Sequence, residues 1–383
     1  MTLNKSMHYP LLFITSNLGG GGAERAMVTI LNHLDRSLFQ LHLALFQKEG
    51  PFLDLLASDV SVYEIQPRPT DFVRRNWTRL LGIQNLVQSI QPALIFSMLW
   101  QANAVTIIAD MLWDYRAPIV INEQTAPRAS LTYDSRRRAI WPLARRLYPR
   151  ADEVVVISKG IGVELSQDVA IPAEKIHVIH NPVVITPQQL ESENSTGHNT
   201  SGAYTVVSVG RLVPLKNYPM LLHAIKLARR EVDVELYILG DGPEKMNIQI
   251  LAERLGIAPA VHLLGFVPNP HDFMARADLF VLTSKHEGFG NVLIEAMASG
   301  VPVVATDCPY GPREILENGK YGVLVSVDDV DALAEKIVAM LTNHQRRKEF
   351  ILRGRERAKD FSANGIAKQY KQLFLDVIAK HKK

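Results

Sequence analysis

The segment at residues 284–300 reads SKHEGFGNVLIEAMASG, and it follows an apolar run, ADLFVLT, at residues 277–283. A short apolar run of this kind predicts a buried strand. Gly288 and Gly290 predict a turn, and the apolar residues beyond them recur at the spacing of a helix that ends at Gly300. The segment therefore predicts a strand, a glycine turn and a helix in immediate succession.

The glycine turn also suggests a ligand. Backbone N–H groups and the positive end of a helix at such a turn form a suitable place for a phosphate. Glu287 lies on the turn and Glu295 lies in the predicted helix, so the two carboxylates are expected to contact different parts of one ligand. An ordinary strand–helix unit with two solvated acids would show the same pattern.

Length and composition describe a globular protein of two domains. The chain has 383 residues, of which 47% are hydrophobic and 21% are charged. No apolar run approaches the roughly 18 residues of a membrane helix, so the chain is expected to remain in the cytoplasm. Cys308 is the only cysteine, which excludes internal disulfides and a cysteine-rich zinc site. The net charge of +3 is too small to indicate nucleic-acid binding.

Apolar runs alternate with helical periodicity in two blocks, residues 1–185 and residues 204–360. This alternation predicts an α/β fold with two doubly wound parallel sheets. Residues 186–203 are rich in Ser, Thr, Asn, Gln and Pro, and they predict a linker. Residues 361–383 are expected to form a C-terminal helix that packs back toward the N-terminal domain.

A second glycine-rich loop follows the first predicted strand. Residues 10–16 are an apolar run, four glycines stand at 19–22, and helical periodicity begins at residue 23. Glycines of this kind let the backbone approach a ligand closely. Ligands of open α/β sheets bind at the carboxyl ends of the strands. Because both glycine turns lie at such ends, they are expected to face each other across one cleft.

The second domain opens with VGRLVPLKN at residues 209–217, again just beyond a predicted strand. Arg211 and Lys216 supply two cations at that strand's carboxyl end, where a diphosphate could be neutralised without a metal ion. Two cations in a loop can equally be ordinary surface residues. Their position beside Gly210 at a strand exit favours the phosphate-binding interpretation.

Five motifs occur in an order and spacing that resemble the retaining glycosyltransferases of family 4. They are GGAER at 21–25, GRLVPLKN at 210–217, LGDGP at 239–243, LGFV at 264–267 and EGFG at 287–290, with Glu295 eight residues after Glu287. The resemblance covers nearly the whole chain. It implies the GT-B fold, in which a Rossmann-like acceptor-binding domain and a Rossmann-like nucleotide-sugar-binding domain face each other across a cleft.

The resemblance implies a role for each matching residue. Arg211 and Lys216 would bind the donor diphosphate and stabilise the charge that develops on the leaving group, and Glu287 would contact the donor sugar. These three are the predicted catalytic residues. The other predicted donor-binding residues would lie near the sugar and phosphates (Gly21, Gly22, Gly288, Phe289, Gly290, Asn291), the nucleobase (Gly240, Phe266, Val267) and the ribose (Glu295).

Retention in this family is usually described without a covalent intermediate, because the acceptor attacks from the face that the diphosphate leaves. The resemblance therefore implies no catalytic triad, no cofactor and no metal ion. Residues 329–331, DVD, superficially match the metal-binding motif of another glycosyltransferase fold. They stand at the start of a predicted helix, where Asp is a preferred capping residue.

The chain departs from the family at one position. Many relatives have a histidine after the strand that corresponds to residues 118–122, facing the donor sugar and the acceptor. This chain reads NEQT at residues 122–125, which puts Gln124 at the histidine position. An amide can orient a hydroxyl group but cannot take its proton. Basicity would come from Glu123 or from the departing phosphate, and Glu123 and Gln124 are the predicted acceptor-side residues.

The resemblance also implies a membrane-linked acceptor. Relatives with the GGAER motif mostly build bacterial surface glycans or glycoprotein glycans on polyprenyl-diphosphate carriers at the inner membrane face. Two basic segments, around Trp77 and Trp141, interleave arginines with aromatic and aliphatic residues, as in proteins that lie on anionic membranes. A solvated helix that packs its apolar side inward would show the same pattern. The expected location is cytoplasmic and peripheral, at the inner face of the cell membrane.

Together these features predict a retaining transferase that moves a hexose, or more specifically an N-acetylhexosamine, from a UDP-sugar to a polyprenyl-diphosphate-linked glycan. Three alternatives stay open: a GDP-sugar donor as in mannosyl transfer, a soluble acceptor, and an inactive partner subunit that retains the nucleotide site. The intact set of Arg211, Lys216, Glu287 and Glu295 favours an active enzyme.

Overall fold

The computed structural model describes residues 8–65, 71–128, 131, 135–186 and 202–382. The chain divides into two compact units. The first comprises Met1–Pro182 and Ala363–Lys383, and the second comprises Val183–Ser362. The predicted linker at residues 186–203 falls outside the described residues except at residues 186, 202 and 203.

The first unit is built on a parallel sheet of seven strands. The strands are β1 (Tyr9–Thr15), β2 (Phe39–Leu45), β3 (Ser61–Glu64), β4 (Leu94–Met98), β5 (Ile119–Glu123), β6 (Glu153–Val156) and β7 (Ile176–Val178). Their order in the sheet is β3-β2-β1-β4-β5-β6-β7, and every pair is parallel. The helices are α1 (Gly22–His33), α2 (Phe72–Ile90), α3 (Trp100–Trp113), α4 (Ser135–Leu147), α5 (Lys159–Val169) and, from the end of the chain, α13 (Ala363–His381). Short 3-10 helices occupy Leu53–Leu55, Tyr148–Arg150 and Ala173–Lys175.

The strand β1, near the centre of this sheet, is apolar through residues 10–14. Residues 11–14 of β1 are completely buried, as expected for a strand with helices on both faces. The strand order reverses between β1 and β4, so the carboxyl end of β1 lies at a topological switch point, where ligands bind in sheets of this kind. The glycine loop at residues 19–22 leaves the sheet from this end.

The C-terminal helix α13 completes the core of the first unit. Its Phe374 ring lies 6.0 Å from the ring of Phe13 and 5.5 Å from that of Phe96, and Phe374 is fully buried. Beyond this aromatic cluster, Lys371 Nζ donates to Asp35 Oδ2 at 2.7 Å. The helix is therefore joined to the first sheet both by apolar contact and by an ion pair at its margin.

The second unit is built on a parallel sheet of six strands. The strands are β8 (Tyr204–Val209), β9 (Val234–Leu239), β10 (Val261–Gly265), β11 (Leu279–Leu282), β12 (Val303–Thr306) and β13 (Val323–Val325), in the order β10-β9-β8-β11-β12-β13. The helices are α6 (Tyr218–Ala228), α7 (Lys245–Leu255), α8 (His271–Ala275), α9 (Asn291–Ala298), α10 (Pro312–Ile315), α11 (Val330–Thr342) and α12 (His344–Lys359). Short 3-10 helices occupy Pro214–Lys216 and Ala258–Ala260.

The predicted doubly wound architecture is confirmed in both units. Helix α9 begins at Asn291 as predicted, and Gly290 before it has a left-handed φ of +98°, a conformation that glycine adopts without strain. The sequence does not predict α8 and α10, because so few residues contain too little periodicity to be recognised.

Candidate active site

Glycine backbones bring the carboxyl ends of β8, β9 and β10 close together. Gly210 N donates to Leu239 O at 2.9 Å, and Gly240 N donates to Gly265 O at 2.7 Å. Gly240 has a φ of +147°, and a Cβ at this residue would lie only 1.9 Å from the Gly210 carbonyl oxygen. No residue with a side chain fits there, so this contact fixes the start of the loop that contains Arg211.

Lys216 and Glu287 form an ion pair beside that loop. Lys216 Nζ lies 2.5 Å from Glu287 Oε1, and Ser284 Oγ donates to the same oxygen at 2.6 Å. The two charged side chains are 18% and 11% exposed, so bulk salt screens their attraction only weakly. Ser284 is a site residue that the sequence does not reveal, because a single serine among polar residues has no distinguishing pattern.

Threonine hydroxyls hold the backbone on both sides of this pair. Thr283 Oγ1 donates to the Lys216 carbonyl oxygen at 2.9 Å, and Thr306 Oγ1 donates to the Ser284 carbonyl oxygen at 2.6 Å. Both threonines are buried. Breaking such a bond would leave a buried polar group without a partner, which is costly. The ion pair is therefore positioned by β12 and by the residue that follows β11.

Arg211 is the second cation at this edge of the sheet, and its surroundings differ from those of Lys216. Its side chain is exposed, whereas Lys216 is largely covered by the protein. A guanidinium in water retains its full set of donors and matches the geometry of a phosphate. The site thus combines one cation in a half-buried ion pair with one that faces the solvent.

The glycine turn before α9 is anchored by its aromatic side chain. Phe289 is 2% exposed, and its ring lies 5.5 Å from that of Phe361. Gly311 approaches so closely that a Cβ there would lie 1.7 Å from the Phe289 carbonyl oxygen. In addition, Glu287 N donates to Pro309 O at 3.0 Å. Any contact between Phe289 and a ligand would therefore be made by its backbone.

The remaining predicted donor-binding residues of this unit lie on α9 and beyond β10. Asn291 and Glu295 are one helical turn apart on α9, and both are half-buried. Phe266 is 51% exposed and Val267 is half-buried. An exposed aromatic ring at the carboxyl edge of a sheet provides a flat apolar surface on which a base can stack. Their roles toward a ligand stay predictions.

Burial shifts the titration of three groups around the ion pair. It lowers the pKa of His286, raises the pKa of Cys308 to about 12 and raises the pKa of Tyr218. The negative charge of Glu287 adds to the upward shifts of Cys308 and Tyr218. All three groups are therefore predominantly neutral at pH 7 and add little charge to the site.

The DVD segment has the structural role that the sequence predicts. Asp329 Oδ1 accepts a hydrogen bond from Ala332 N at 2.9 Å and so caps α11. Asp328, just before it, accepts from Asn217 Nδ2 at 2.8 Å. Because Asn217 directly follows Lys216, this bond connects the start of α11 to the loop with the two cations.

The glycine loop of the first unit leads from β1 into α1. Gly21 precedes the helix in an extended conformation, and Gly22 is its first residue. A Cβ at Gly21 would lie 2.3 Å from Glu24 Oε2, the end of a flexible side chain. The loop presents bare backbone at a helix start, a geometry that suits a phosphate. The role of Gly21 and Gly22 toward the donor stays a prediction.

Glu123 is the last residue of β5, and its side chain is 0% exposed. Tyr148 OH donates to Glu123 Oε2 at 2.8 Å, and Thr125 N donates to Glu123 Oε1 at 3.1 Å. Both carboxylate oxygens therefore have partners inside the first unit. The carboxylate stabilises the turn that follows β5.

Gln124 is 7% exposed, and its amide bonds to two asparagines. Gln124 Nε2 donates to Asn122 Oδ1 at 2.6 Å and to Asn181 Oδ1 at 3.0 Å, while Asn122 Nδ2 donates to Tyr370 OH at 3.1 Å. The sequence does not reveal Asn181 and Tyr370 as partners, because they lie far along the chain. The acceptor-side role of Glu123 and Gln124 stays a prediction.

The two basic segments differ in how they present their tryptophans. Trp77 on α2 is 53% exposed, and Leu81 one turn further is also exposed. Trp141 on α4 is 9% exposed, so the inward-packing alternative holds for this residue. Among the described residues, no helix is both long enough and apolar enough to pass through a membrane.

Comparison with known sequences identifies two family profiles. The profile described as "Glycosyltransferase Family 4" matches residues 20–186, and that described as "Glycosyl transferases group 1" matches residues 191–357. The chain is 30% identical over 364 residues to N-acetylgalactosamine-N,N'-diacetylbacillosaminyl-diphospho-undecaprenol 4-alpha-N-acetylgalactosaminyltransferase of Campylobacter jejuni, which covers 93% of this chain and 96% of the relative. It is 26% identical over 376 residues to GalNAc-alpha-(1->4)-GalNAc-alpha-(1->3)-diNAcBac-PP-undecaprenol alpha-1,4-N-acetyl-D-galactosaminyltransferase of the same organism, covering 95% of this chain and 98% of that relative.

Solved structures show the same architecture. HepE of Anabaena in complex with UDP and glucose has a TM-score of 0.79 and 25% identity, over 96% of this chain and 100% of that one. WaaG, a glycosyltransferase involved in lipopolysaccharide biosynthesis, has a TM-score of 0.75 and 16% identity, over 95% of this chain and 99% of that one. The two parallel-sheet units match those of GT-B glycosyltransferases, which confirms the predicted fold class.

Proposed function

The chain belongs to glycosyltransferase family 4 and is a glycosyltransferase of the GT-B fold. From this premise we propose that it transfers an N-acetylhexosamine or a hexose from a UDP-sugar to a polyprenyl-diphosphate-linked glycan. We propose that the transfer retains the configuration of the donor sugar. The names of the two Campylobacter jejuni relatives specify N-acetylgalactosaminyl transfer and diphospho-undecaprenol or PP-undecaprenol. The HepE structure contains UDP and glucose. These relatives support the proposed donor and acceptor classes. We propose that the reaction belongs to the synthesis of bacterial surface or glycoprotein glycans.

The observation that carries the proposal is the contact between Lys216 and Glu287. A nucleotide sugar has its diphosphate bonded directly to its sugar, so its binding site needs a cation next to a group that binds hydroxyls. Lys216 Nζ and Glu287 Oε1 lie 2.5 Å apart at the carboxyl edge of the second sheet. They suit these two adjoining parts of one ligand.

Each donor-side residue has a proposed task in this reaction. Arg211 and Lys216 bind the diphosphate, and Glu287 accepts hydrogen bonds from hydroxyls of the donor sugar. Glu295 binds the ribose hydroxyls. The further proposed contacts are the backbone of the glycine turn and Asn291 (sugar and distal phosphate), Gly240, Phe266 and Val267 (nucleobase), and Gly21 and Gly22 (phosphates).

The bond changes of the proposed reaction balance without a covalent enzyme intermediate. The bond between the anomeric carbon and the diphosphate oxygen breaks, and its electron pair passes to the diphosphate, where Arg211 and Lys216 stabilise the charge. The acceptor hydroxyl oxygen bonds to the anomeric carbon on the same face. Its proton passes to the departing phosphate oxygen. The products are UDP and a glycoside with the configuration of the donor.

The departing phosphate is the proposed proton acceptor, in preference to Glu123. The fully buried carboxylate of Glu123 already accepts hydrogen bonds from Tyr148 and Thr125, which leaves it poorly placed to meet a substrate hydroxyl. We therefore expect Glu123→Gln to keep kcat within about threefold of wild type, measured as initial rates of UDP release. A loss of a hundredfold or more in a variant that remains folded would assign the base to Glu123.

The proposed chemistry requires no divalent cation. Two fixed cations, Arg211 and Lys216, stand where a metal ion would otherwise neutralise the diphosphate, and Asp329 is engaged in capping α11. Full activity is expected in excess EDTA. Loss of activity in EDTA that Mg²⁺ or Mn²⁺ restores would contradict this part of the proposal.

Peripheral membrane association is proposed to involve α2, where exposed Trp77 and Leu81 accompany exposed Arg74. The protein should co-sediment with phosphatidylglycerol liposomes at low salt and dissociate as salt screens the charges. Trp77→Ser should weaken this binding, and Leu352→Ser, which changes an exposed residue of the second unit, should not. Failure of the wild-type protein to co-sediment would favour a soluble acceptor.

Donor identification tests the proposed function. A thermal-shift panel of UDP- and GDP-sugars, including UDP-N-acetylgalactosamine, UDP-glucose and GDP-mannose, should show stabilisation by UDP-sugars, because a ligand that binds only the native state raises the melting temperature. The stabilising donor is then assayed for transfer to diphospho-undecaprenol-linked glycans. Stabilisation by GDP-sugars alone would indicate a mannosyl-type donor, and binding without transfer or hydrolysis would indicate an inactive partner subunit.

A further inference from the structure

A cluster of four buried, neutral polar side chains lies behind the turn that follows β5. Its members are Asn122, Gln124, Asn181 and Tyr370, and their exposed fractions are 0%, 7%, 2% and 0%. They come from three distant parts of the first unit, namely β5 and the residue after it, the segment after β7, and α13. We call this group the amide cluster.

The hydrogen bonds of the amide cluster leave Gln124 with one unused hydrogen-bond acceptor position. Its Nε2 uses both hydrogens, on Asn122 Oδ1 at 2.6 Å and on Asn181 Oδ1 at 3.0 Å. Its Oε1 accepts one bond, from Asn181 Nδ2 at 2.8 Å. A carbonyl oxygen accepts two hydrogen bonds, so Gln124 retains one acceptor position and no donor.

The orientation of the Gln124 amide is also determined by these partners. With Asn122 and Asn181 held as they are, a flip of the Gln124 amide alone would bring its oxygen against the oxygens of Asn122 and Asn181, and would bring its NH2 group against the NH2 group of Asn181. Either pairing leaves buried polar groups unsatisfied, which is unfavourable. The direction in which Gln124 Oε1 offers its remaining lone pair is therefore set by Asn181.

Tyr370 extends this support into the C-terminal helix. Asn122 Nδ2 donates to Tyr370 OH at 3.1 Å, and the Tyr370 ring packs 5.7 Å from the rings of Phe96 and Phe374. Burial raises the pKa of Tyr370, so its phenol stays neutral at physiological pH. The amide cluster therefore contains no charged member whose ionisation would rearrange it.

We propose that Asn181 is a positioning residue, which holds Gln124 so that Oε1 accepts a hydrogen bond from a hydroxyl of the bound substrate. Tyr370 supports the same arrangement through Asn122. The inference rests on the proposed transferase function and adds a residue to it. It also explains how glutamine serves here without taking a proton: its task is to orient a hydroxyl group, and Asn181 determines the direction.

A double-mutant cycle tests this proposal. Gln124→Ala and Asn181→Ala are each expected to lower kcat about tenfold, and the double variant is expected to be no slower than the slower single variant, because residues of one network are not additive. The matched control is Asn32→Ala in the same unit. The Asn32 amide also makes two bonds, to Leu55 O at 2.7 Å and from Ala57 N at 2.9 Å, but lies outside the amide cluster.

The assay is UDP release from UDP-N-acetylgalactosamine with a diphospho-undecaprenol-linked N-acetylgalactosaminyl acceptor, and with UDP-glucose where the first donor is inactive. Rates are measured well below the melting temperature of each variant. The kcat loss should appear in the amide-cluster variants but not in Asn32→Ala, even where their melting temperatures fall equally. A purely structural role would lower the melting temperature without changing kcat below it.

A histidine at position 124 provides a second, independent variant. Imidazole cannot donate to Asn122 and Asn181 and also accept from Asn181, so Gln124→His is expected to lower kcat by about as much as Gln124→Ala. If the wild type is active and Asn181→Ala has the same kcat as Asn32→Ala, the inference is refuted but the proposed function is not. A Gln124→His variant with the kcat of the wild type would have the same consequence. Wild type without transfer from any UDP- or GDP-sugar would refute the proposed function, and the inference with it.

Discussion

The second unit has charged side chains at the carboxyl edge of its sheet. In the first unit, the turn after β5 instead has buried side chains that hydrogen-bond to neighbouring residues of the same unit. Lys216 and Glu287 are partly exposed and Arg211 is exposed, while Glu123 and Gln124 are at most 7% exposed. A partly exposed ion pair can exchange one partner for a ligand at modest cost, but a buried network cannot. The contrast indicates that the second unit is arranged to bind a charged ligand, whereas the turn after β5 in the first unit is arranged to hold its side chains in fixed positions.

The largest expected effect comes from removing Lys216, the half-buried cation of the second unit. Lys216→Met should lower kcat by roughly 10²- to 10³-fold, because it removes a group that stabilises the developing charge on the leaving diphosphate and leaves Glu287 without its cationic partner. Initial rates at saturating donor measure this loss.

The matched control is Lys336→Met. Lys336 pairs with Glu335 on α11 at 2.8 Å, and this surface pair is expected to contribute little. If Lys216→Met and Lys336→Met lower kcat equally and only slightly, Lys216 does not have the role assigned to it.

Arg211 should have a smaller effect than Lys216, because it is exposed in the absence of a ligand. Arg211→Met is expected to lower kcat/KM for the donor by about 10- to 100-fold, the range for a hydrogen bond to a charged group. Arg211→Lys should recover part of this loss, since it restores the charge but not the bidentate geometry. A donor kcat/KM unchanged in Arg211→Met would mean that Arg211 is an ordinary surface residue.

In the first unit, charge is expected to stabilise the periphery. Hydrogen bonds from Lys371 and then Ser37 lower the pKa of Asp35 to about 2. Because this folded-state pKa lies below the ordinary aspartate pKa of 3.8, the stabilisation by this ion pair is present above pH 3.8 and is lost as the pH falls toward 2. The pair is partly exposed, so Asp35→Asn should lower the melting temperature at pH 7 by no more than about 2 °C.

The pH dependence of that difference is the test for Asp35. The difference in melting temperature between wild type and Asp35→Asn should narrow between pH 4 and pH 2, when measured by circular dichroism. A constant difference over this range would show that the carboxylate charge does not contribute to holding α13.

The smallest expected effect is the slow reaction of the Cys308 thiol, which reports whether the interior of the second unit opens to solvent. Cys308 is 2% exposed, and burial raises its pKa to about 12, so the native thiol should be almost inert toward Ellman's reagent at pH 8. In guanidinium chloride one thiol per chain should react. Rapid reaction in the native protein would show that the region beyond β12 opens readily, contrary to the fixed position assigned to Glu287.

Periodicity and turn chemistry were sufficient to predict the elements of both sheets. The succession of β11, Gly290 and α9 follows from a short apolar run, a glycine and helical spacing, and all three are local features. The sequence predicts that Lys216 and Glu287 belong to one site, but it does not predict their ion pair, because that contact depends on which strands become neighbours.

Partners of buried polar residues were the part that sequence reasoning missed. Asn181 and Tyr370 are ordinary polar or aromatic residues in the sequence, and only the folded chain brings them to Gln124 and Asn122. Likewise, Trp77 and Trp141 stand in similar basic surroundings, but the orientation of each helix buries only the second. Such features depend on tertiary packing, which local patterns do not encode.

Calorimetric titration with UDP tests the contrast between the two units most directly. Wild type should bind UDP, and both Lys216→Met and Arg211→Met should weaken the affinity by tenfold or more, whereas Gln124→Ala should leave it within about twofold. That result would assign recognition of the donor diphosphate to the second unit and geometry to the first. Equal affinity for UDP in all four proteins, or a loss confined to Gln124→Ala, would contradict this assignment.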